Sequence, residues 1–223
     1  MNAAPVSVDL VTDPVCPWCW LGLRYWRAAR AQTPDIVTET VLRPFQLDAS
    51  VPRSGVPYGD YMARKFAAAS PGAPDRFKAM REHLEQAGPD VGIVFNFDAI
   101  EIRPNTLNAH RVIRWAQGQD LGETVLDLIH KAFFEERRDI GAPDVLASLA
   151  GEAGMDADVV RDLLSSDRDA AQVQREEQFY RSLGVQGVPC FIFNGRFAVS
   201  GAEAPDMLAG AIAQAAQSPA SQD

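Results

Sequence analysis

Apolar and polar positions along the first part of the chain predict a strand, a helix and a second strand. Residues 6–11 form a short apolar run that predicts a strand with Asp9 inside it. Residues 17–32 carry apolar side chains along one broad face, which predicts a helix. Residues 36–45 are rich in valine and threonine and predict another strand. A strand, a helix and a strand in this order most naturally form a right-handed parallel crossover.

The middle of the chain is dominated by helical patterns. Pro52, Gly55 and Pro57 mark a loop after the second strand. Residues 95–102 predict a strand or an extended segment. Helices are predicted near residues 58–69 and 75–87, from residue 105 onward, and over residues 121–136, 143–154 and 157–164.

The last part of the chain returns to a mixture of helices and strands. Residues 169–183 predict a helix, and residues 204–216 predict a closing helix. Two short strands are predicted between them, at residues 189–193 and 196–200. The Asn194-Gly195 pair that joins them is the strongest short hairpin signal available.

This order predicts an α/β protein in which both ends of the chain build one sheet, with a block of helices inserted between them. We predict that residues 1–54 form the N-terminal βαβ part of the α/β domain and residues 166–217 its C-terminal αββα part. Residues 55–165 form the predicted helical insertion, and residues 218–223 a polar tail.

Charge and composition exclude several classes of partner. The chain has 21 basic and 30 acidic residues and a net charge of −9, which argues against nucleic acid or an anionic membrane as its main partner. No apolar run approaches the roughly 20 residues that a membrane span needs. Residues 1–5 lack the basic and apolar segments of a secretory signal. We therefore expect a cytoplasmic protein, in which disulfides are usually transient and catalytic.

The Cys16-Pro17-Trp18-Cys19 motif stands where the first strand ends and the first helix begins. Free backbone N–H groups and the positive end of the helix dipole stabilise an anion there, and the thiolate is the nucleophilic form of cysteine. Cys19 lies one turn inside, on the same side, and can close a disulfide with Cys16. Pro17 suits the first helical position, and we expect Trp18 to cover one sulfur or to contact a partner. The motif predicts a redox-active dithiol.

Two structural explanations of the motif are weaker. A zinc site normally has a second pair of ligands at short spacing, but the three histidines, His83, His110 and His130, are scattered and the chain has only three cysteines. A purely structural disulfide is also unfavoured, because so short a loop restrains little entropy of the unfolded chain.

The order of these segments resembles the thioredoxin superfamily, and more narrowly the DsbA-like oxidoreductases with a helical insertion, closest to their cytoplasmic FrnE-like branch. The segments that carry the resemblance are residues 12–19, 43–47, 105–111, 184–189 and 197–202. The resemblance implies a thioredoxin-like fold with a central mixed sheet. It also implies thiol–disulfide exchange in which Cys16 is the nucleophile and Cys19 the resolving thiol.

The resemblance further implies that Pro189 follows a cis peptide bond and packs beside the dithiol. Val188 would then present its N–H and C=O groups to an incoming peptide, and Pro17 and Trp18 would complete the substrate-binding residues. The expected partners are peptides, proteins or small thiols that carry disulfides or dithiols. No cofactor or metal is expected, although glutathione is considered as a co-substrate, and both a monomer and a homodimer stay open.

Three further residues are candidates for accessory roles. Cys190 is either a small core residue or a third thiol that forms an alternative disulfide or completes a three-thiolate metal site. Strand alternation places Pro189 and Cys190 on opposite faces, which favours the core residue. Asp13 is most simply a loop residue that bonds backbone amides. Asp9 is either a hydrogen-bonded structural acid or a group that assists proton transfer to Cys19.

Two other functions remain open at this point. The resemblance extends to kappa-class glutathione transferases and 2-hydroxychromene-2-carboxylate isomerases, which bind glutathione at this helix start with serine. In such a function Asn105 and Thr106 would contact glutathione or a small ligand. The Cys16 and Cys19 pair argues against that function. The third function is non-catalytic: a holdase for exposed peptides, or a metal carrier that uses Cys16, Cys19 and Cys190.

Overall fold

The computed structural model describes residues 5–217, so the predicted polar tail at 218–223 lies outside the described residues. In chain order its strands and helices are β1 (Val6–Thr12), α1 (Pro17–Gln32), β2 (Thr38–Pro44), β3 (Val56–Pro57), α2 (Tyr58–Ala67), α3 (Ala73–Ala87), β4 (Ile102–Arg103), α4 (Leu107–Gln117), α5 (Gly122–Phe134), α6 (Pro143–Glu152), α7 (Ala157–Leu164), α8 (Ala170–Ser182), β5 (Cys190–Phe193), β6 (Phe197–Ser200) and α9 (Pro205–Gln217). Among the helices of these residues, none combines the length and hydropathy that crossing a bilayer requires.

A four-stranded mixed sheet in the order β2-β1-β5-β6 is built from both ends of the chain. β1 runs parallel to β2 and antiparallel to β5, and β5 pairs with β6 in a hairpin. Asn194 and Gly195 both have positive φ angles, 50° and 65°, as a tight hairpin connection requires. The predicted parallel crossover, the hairpin and the mixed sheet are confirmed.

One face of this sheet is covered by α1 and α9. Trp26 on α1 is fully buried and packs against Phe191 and Phe193 of β5, with ring centroids 5.6 and 6.0 Å away. Its indole N–H donates to the Thr40 hydroxyl of β2 at 3.0 Å, so this large ring is buried with its polar atom satisfied. The apolar face predicted for residues 17–32 therefore packs α1 against the strands. This packing fixes the position of the first turn of the helix relative to the sheet.

The chain divides into two compact units. One comprises the described residues up to Leu47 together with those from Gln174 onward, and contains the four-stranded sheet. The other, Asp48–Val173, contains α2 to α7, the first residues of α8 and the small β3–β4 sheet. The divisions at 47 and 173 differ from the boundaries at 54 and 165 drawn from the sequence.

Residues 95–102 form a 3₁₀ turn at Phe97–Ala99 followed by the two-residue strand β4. The Phe95 and Phe97 rings stack at 5.0 Å and both pack edge-on against Phe134 of α5. Phe95 and Phe97, which lie in the segment predicted as a strand or an extended segment, therefore serve aromatic packing rather than strand pairing. β4 pairs with β3, which lies in the segment predicted as a loop. Pro57 in β3 has no backbone N–H to donate, so it suits an edge strand rather than a central one.

Candidate active site

Cys16 caps the start of α1 and Cys19 lies one turn inside the helix. The backbone of Cys16 is extended, with φ −94° and ψ 113°, and its N–H donates to the Asp13 carbonyl at 2.9 Å. Pro17 occupies the first turn, and no acidic residue stands there to oppose an anion. Both cysteines are free thiols, 3% and 1% exposed. The two residues thus share one end of one helix, as the motif predicted.

The loop before β5 brings Val188 and Pro189 to the same place. The Val188–Pro189 peptide bond is cis, and the Cys16 thiol donates to the Val188 carbonyl at a sulfur–oxygen distance of 3.5 Å. Pro189 is buried. Pro17 and Trp18, the other predicted substrate-binding residues, are half-buried beside the cysteines in the chain. The Val188 carbonyl is therefore in hydrogen-bonding contact with the sulfur of Cys16, the candidate nucleophile.

The environment of Cys19 keeps it protonated. Burial raises the pKa of the Cys19 thiol well above its ordinary value, and a hydrogen bond with Cys16 and the negative charge of Cys16 raise it further. The Thr12 side chain and the Asp13 backbone act in the opposite direction as donors. Because the two sulfurs interact, a thiolate at Cys16 disfavours a second one at Cys19. Cys19 is therefore the thiol of the pair that retains its proton.

Gly22 allows Pro189 to approach the first helix. A Cβ atom at Gly22 would stand 2.9 Å from Pro189 Cγ and 3.5 Å from Pro189 Cβ, the first of which is shorter than real contacts of this kind. Glycine in a helix interior costs about 1 kcal/mol relative to alanine, so its use here needs a compensating reason. The close approach of the Pro189 ring is that reason.

We expect Gly22→Ala to lower the rate of disulfide exchange by about tenfold, equivalent to ~1.4 kcal/mol, because the new methyl group displaces the Pro189 loop from Cys16. The measurement is the rate of dithiol oxidation by the purified variant. Gly210→Ala is the matched control, since a Cβ at Gly210 in α9 meets nothing within 4 Å. Equal rates for wild type and both variants would contradict this role of Gly22.

Asp13 and Asp9, the two predicted accessory acids, have different surroundings. Asp13 is fully buried, and its Oδ2 accepts from the backbone N–H of Leu47 at 2.8 Å. It therefore bonds a backbone amide, as predicted for a loop acid. Asp9 Oδ1 accepts from Arg43 Nε at 2.8 Å, and its Oδ2 accepts from the Tyr180 hydroxyl at 2.9 Å. These bonds engage both carboxylate oxygens of Asp9 in a network between β1, β2 and α8.

The charge of Arg43 offsets the negative charges in the Asp9 network. Arg43 bridges Asp9 and Glu176, with Nη1 2.6 Å from the Glu176 carboxylate, and its guanidinium lies 5.6 Å from the centre of the Tyr180 ring. Burial and the charge of Asp9 hold the pKa of Tyr180 above its ordinary value, so Tyr180 remains a donor. The hydrogen-bonded structural acid considered for Asp9 is the role that these contacts support.

Cys190 occupies an apolar cluster on the β5 strand. It is 3% exposed and packs with Val11, Phe45 and Tyr180. Burial raises the pKa of the Cys190 thiol, and the Ser200 hydroxyl, 4.0 Å from its sulfur, acts weakly in the other direction. Within residues 5–217, no group of three or more Cys, His, Asp or Glu side chains is arranged to hold a metal ion. These surroundings support the small core residue proposed for Cys190.

A groove of about 680 Å³ adjoins the Val188–Pro189 loop. It lies between residues 183–190 and the β5–β6 hairpin, and its lining includes Ile192, Ala198 and Ser200. The carbonyl that accepts from the Cys16 thiol therefore belongs to a residue that also lines an open groove.

Asn105 and Thr106, the residues considered for glutathione contact, are engaged in the second unit. Asn105 Oδ1 accepts from the Leu107 N–H at 3.0 Å, and its Nδ2 donates to the Val51 carbonyl at 2.7 Å. Thr106 is 3% exposed. Their polar atoms serve the start of α4 and the preceding loop.

Sequence reasoning missed two residues around the dithiol, Thr12 and Gly22. Thr12 is the last residue of β1 and is 1% exposed beside Cys19. The alternation of β1 carried a signal for it, because the even-numbered Val8 and Leu10 are buried on the same face. A glycine inside the predicted helix carried the signal for Gly22.

Comparison with known proteins places these features in a family. A model described as a DSBA-like thioredoxin domain matches residues 7–213. The uncharacterized protein YwbO of Bacillus subtilis (strain 168) is 26% identical over 209 residues, which cover 93% of this chain and 96% of that protein.

The solved structures that share the fold include the following two. A probable DsbA oxidoreductase from Streptomyces coelicolor superposes with a TM-score of 0.85 at 25% identity, over 98% of this chain and 93% of the other. The cytosolic disulfide reductase DsbM from Pseudomonas aeruginosa, solved with GSH, gives 0.63 at 19% identity over 95% and 96% of the two chains. The mixed sheet, the cysteine pair at the first helix and the nearly full-length match together show that this chain belongs to the DsbA-like thioredoxin family of oxidoreductases.

Proposed function

We propose that the protein is a thiol–disulfide oxidoreductase that works through Cys16 and Cys19. The observation that carries the proposal is the arrangement at the start of α1. The Cys16 sulfur stands at the positive end of the helix with the Val188 carbonyl 3.5 Å away, and the protonated Cys19 lies beside it.

In the reducing direction, the Cys16 thiolate attacks one sulfur of a substrate disulfide. That bond breaks, its electron pair leaves with the other substrate sulfur, and Cys16 is held in a mixed disulfide. Cys19 then loses its proton and attacks Cys16 Sγ, which releases the second substrate sulfur as a thiol. The substrate gains two electrons and two protons while Cys16 and Cys19 form a disulfide. The same steps in reverse oxidise a dithiol.

Substrate segments fit the groove beside Val188. When Cys16 is ionised it no longer donates to the Val188 carbonyl, which becomes available to a backbone N–H of an extended peptide. Ile192 and Ala198 offer apolar surface in the groove that Val188 also lines. We therefore propose proteins or peptides with disulfides or dithiols as the substrate class.

Glutathione is proposed as the small thiol that exchanges with the dithiol. Support comes from the DsbM structure, which was solved with GSH and has the same fold. The glutathione transferase or isomerase function is less well supported, because Asn105 is hydrogen-bonded within its own unit and the helix start carries a cysteine pair.

The test is to equilibrate the protein with glutathione redox buffers and to map its disulfides by mass spectrometry. We expect a Cys16–Cys19 disulfide that forms and disappears in one transition, and transfer of that disulfide to a reduced peptide. The midpoint gives the reduction potential, which shows whether the couple reduces or oxidises at the cytosolic glutathione poise. Cys190→Ala serves as a control against disulfides through Cys190. The proposed function would be refuted if all the disulfides found were intermolecular or involved Cys190.

A further inference from the structure

Thr12 places a hydroxyl group in the interior next to the dithiol. Its side chain is 1% exposed, and Thr12 Oγ1 makes no regular hydrogen bond among the described residues. Buried polar side chains are nearly always hydrogen-bonded, and an unsatisfied hydroxyl lowers stability. Valine has nearly the same shape and also suits a strand. It would avoid the cost of a buried hydroxyl without a partner. The hydroxyl therefore calls for a reason beyond packing.

The neighbour of this hydroxyl is the resolving sulfur. Thr12 lies on the face of β1 that also carries Val8 and Leu10, and its side chain reaches Cys19 on the buried face of α1. The hydroxyl interacts with Cys19 as a donor and favours the charged form of that thiol against the effect of burial. In the reduced protein Cys19 is protonated and its sulfur is a weak acceptor, so the Thr12 hydroxyl makes no regular hydrogen bond to it. A Cys19 thiolate would be a much stronger acceptor.

Asp9 and Asp13, the two nearby acids, are less directly placed than Thr12 to stabilise charge on the Cys19 sulfur. Asp9 is hydrogen-bonded to Arg43 and Tyr180. Strand alternation places it on the face of β1 that points away from α1. Asp13 accepts from the Leu47 N–H through its side chain and contributes its backbone to Cys19. Thr12 is the neighbouring side chain whose buried hydroxyl makes no other hydrogen bond among the described residues and can turn to the Cys19 sulfur.

We propose that Thr12 is a catalytic hydrogen-bond donor that stabilises the thiolate of Cys19 whenever that sulfur carries charge. The inference rests on the proposed function and adds a residue to it. In resolution, Cys19 gives up its proton, receives the Thr12 O–H bond and attacks Cys16 Sγ; the mixed disulfide breaks and the released substrate sulfur ends with the proton. In the reverse direction, a substrate thiolate attacks Cys16 Sγ and the electron pair of the Cys16–Cys19 bond moves to Cys19, which accepts from Thr12 as the leaving group.

The test separates the two exchange steps with dithiobisnitrobenzoate, whose released thiolate is coloured. The reduced protein is used in excess over the reagent, in the Cys190→Ala background so that the other two thiols are followed. The first release reports attack by Cys16, and the second reports attack by Cys19 on the mixed disulfide. Thr12→Val removes the hydroxyl and keeps the shape, and Thr12→Ser retains the hydroxyl.

We expect Thr12→Val to slow the second release by about tenfold, as the loss of a hydrogen bond to a charged group implies, and to leave the first within about twofold. Thr12→Ser should restore most of the second rate. Thr12→Val should be at least as resistant to denaturant as the parent protein, because the hydroxyl it removes is unsatisfied.

An unchanged second release in Thr12→Val, or equal slowing of both releases, would overturn the role of Thr12. A clear loss of stability in Thr12→Val that Thr12→Ser repairs, without a selective effect on the second release, would show a structural hydroxyl and would also overturn it. Absence of a second release in the protein with Thr12 intact is a different result. It would refute the resolving role of Cys19, and with it the proposed function.

Discussion

Replacing Cys16 by serine is expected to lower the rate of disulfide exchange by roughly three to six orders of magnitude, the range expected when an activated nucleophile is removed. The hydroxyl of serine does not ionise near neutral pH, so the positive end of α1 no longer has an anion to stabilise. The measurement is the rate at which the variant reduces a disulfide-linked peptide. The variant should remain folded, because one atom changes at a residue whose backbone forms the helix cap.

Cys19→Ser is the matched variant for this prediction. Its Cys16 still attacks the substrate, but nothing resolves the product, so a covalent adduct of protein and peptide should accumulate and be visible by mass spectrometry. A Cys16→Ser protein that retains a tenth of the wild-type rate, or an adduct attached elsewhere in Cys19→Ser, would contradict the assignment of the two sulfurs.

Replacing Arg111 by methionine is expected to reduce the free energy of unfolding by about 3–5 kcal/mol, because four buried acceptors lose their hydrogen-bond donor at about 1 kcal/mol each. The guanidinium of Arg111 is fully buried and donates to the carbonyls of Leu163, Ser166 and Arg168 at 2.7–2.8 Å and to Asn108 Oδ1 at 2.8 Å. Methionine leaves these carbonyls without their donor. Chemical denaturation monitored by circular dichroism provides the measurement.

Arg53→Met is the control for Arg111→Met. Arg53 pairs with Asp167 at 2.7 Å in the same unit, but the two side chains are 54% and 76% exposed. Exposed pairs of this kind contribute about 0–1 kcal/mol, so the control should stay close to wild type. Similar losses in the two variants would show that the buried donors of Arg111 do not dominate its contribution.

The first helix was the most predictable element. Its apolar face, its proline in the first turn and the preceding apolar run located it at residues 17–32, and the structure has the same bounds. The Asn194-Gly195 turn was equally clear, because few residue pairs tolerate two positive φ angles. Signals of this kind are local, since each depends on residues within one or two turns of the position that it specifies.

The contacts that complete the site could not be predicted in this way, because they join distant parts of the chain. Alternation places Asp9 and Thr12 on opposite faces of β1, but it does not say what lies against each face. The partner of Asp9 on α8, Tyr180, is 171 positions later in the chain. Strand β3 was missed for a related reason: two residues carry no periodicity, and pairing with β4 alone defines them as a strand.

The hydrogen bond between Cys16 and Val188 joins residues that are 172 positions apart. At translation rates of about 5–20 residues per second, Val188 is added roughly 10–30 seconds after Cys16. During that interval the nascent chain carries both thiols of the motif without the Val188–Pro189 loop that contacts Cys16 and the first helix. A chain whose synthesis stops before this loop therefore carries both cysteines without the carbonyl that Cys16 contacts in the complete fold.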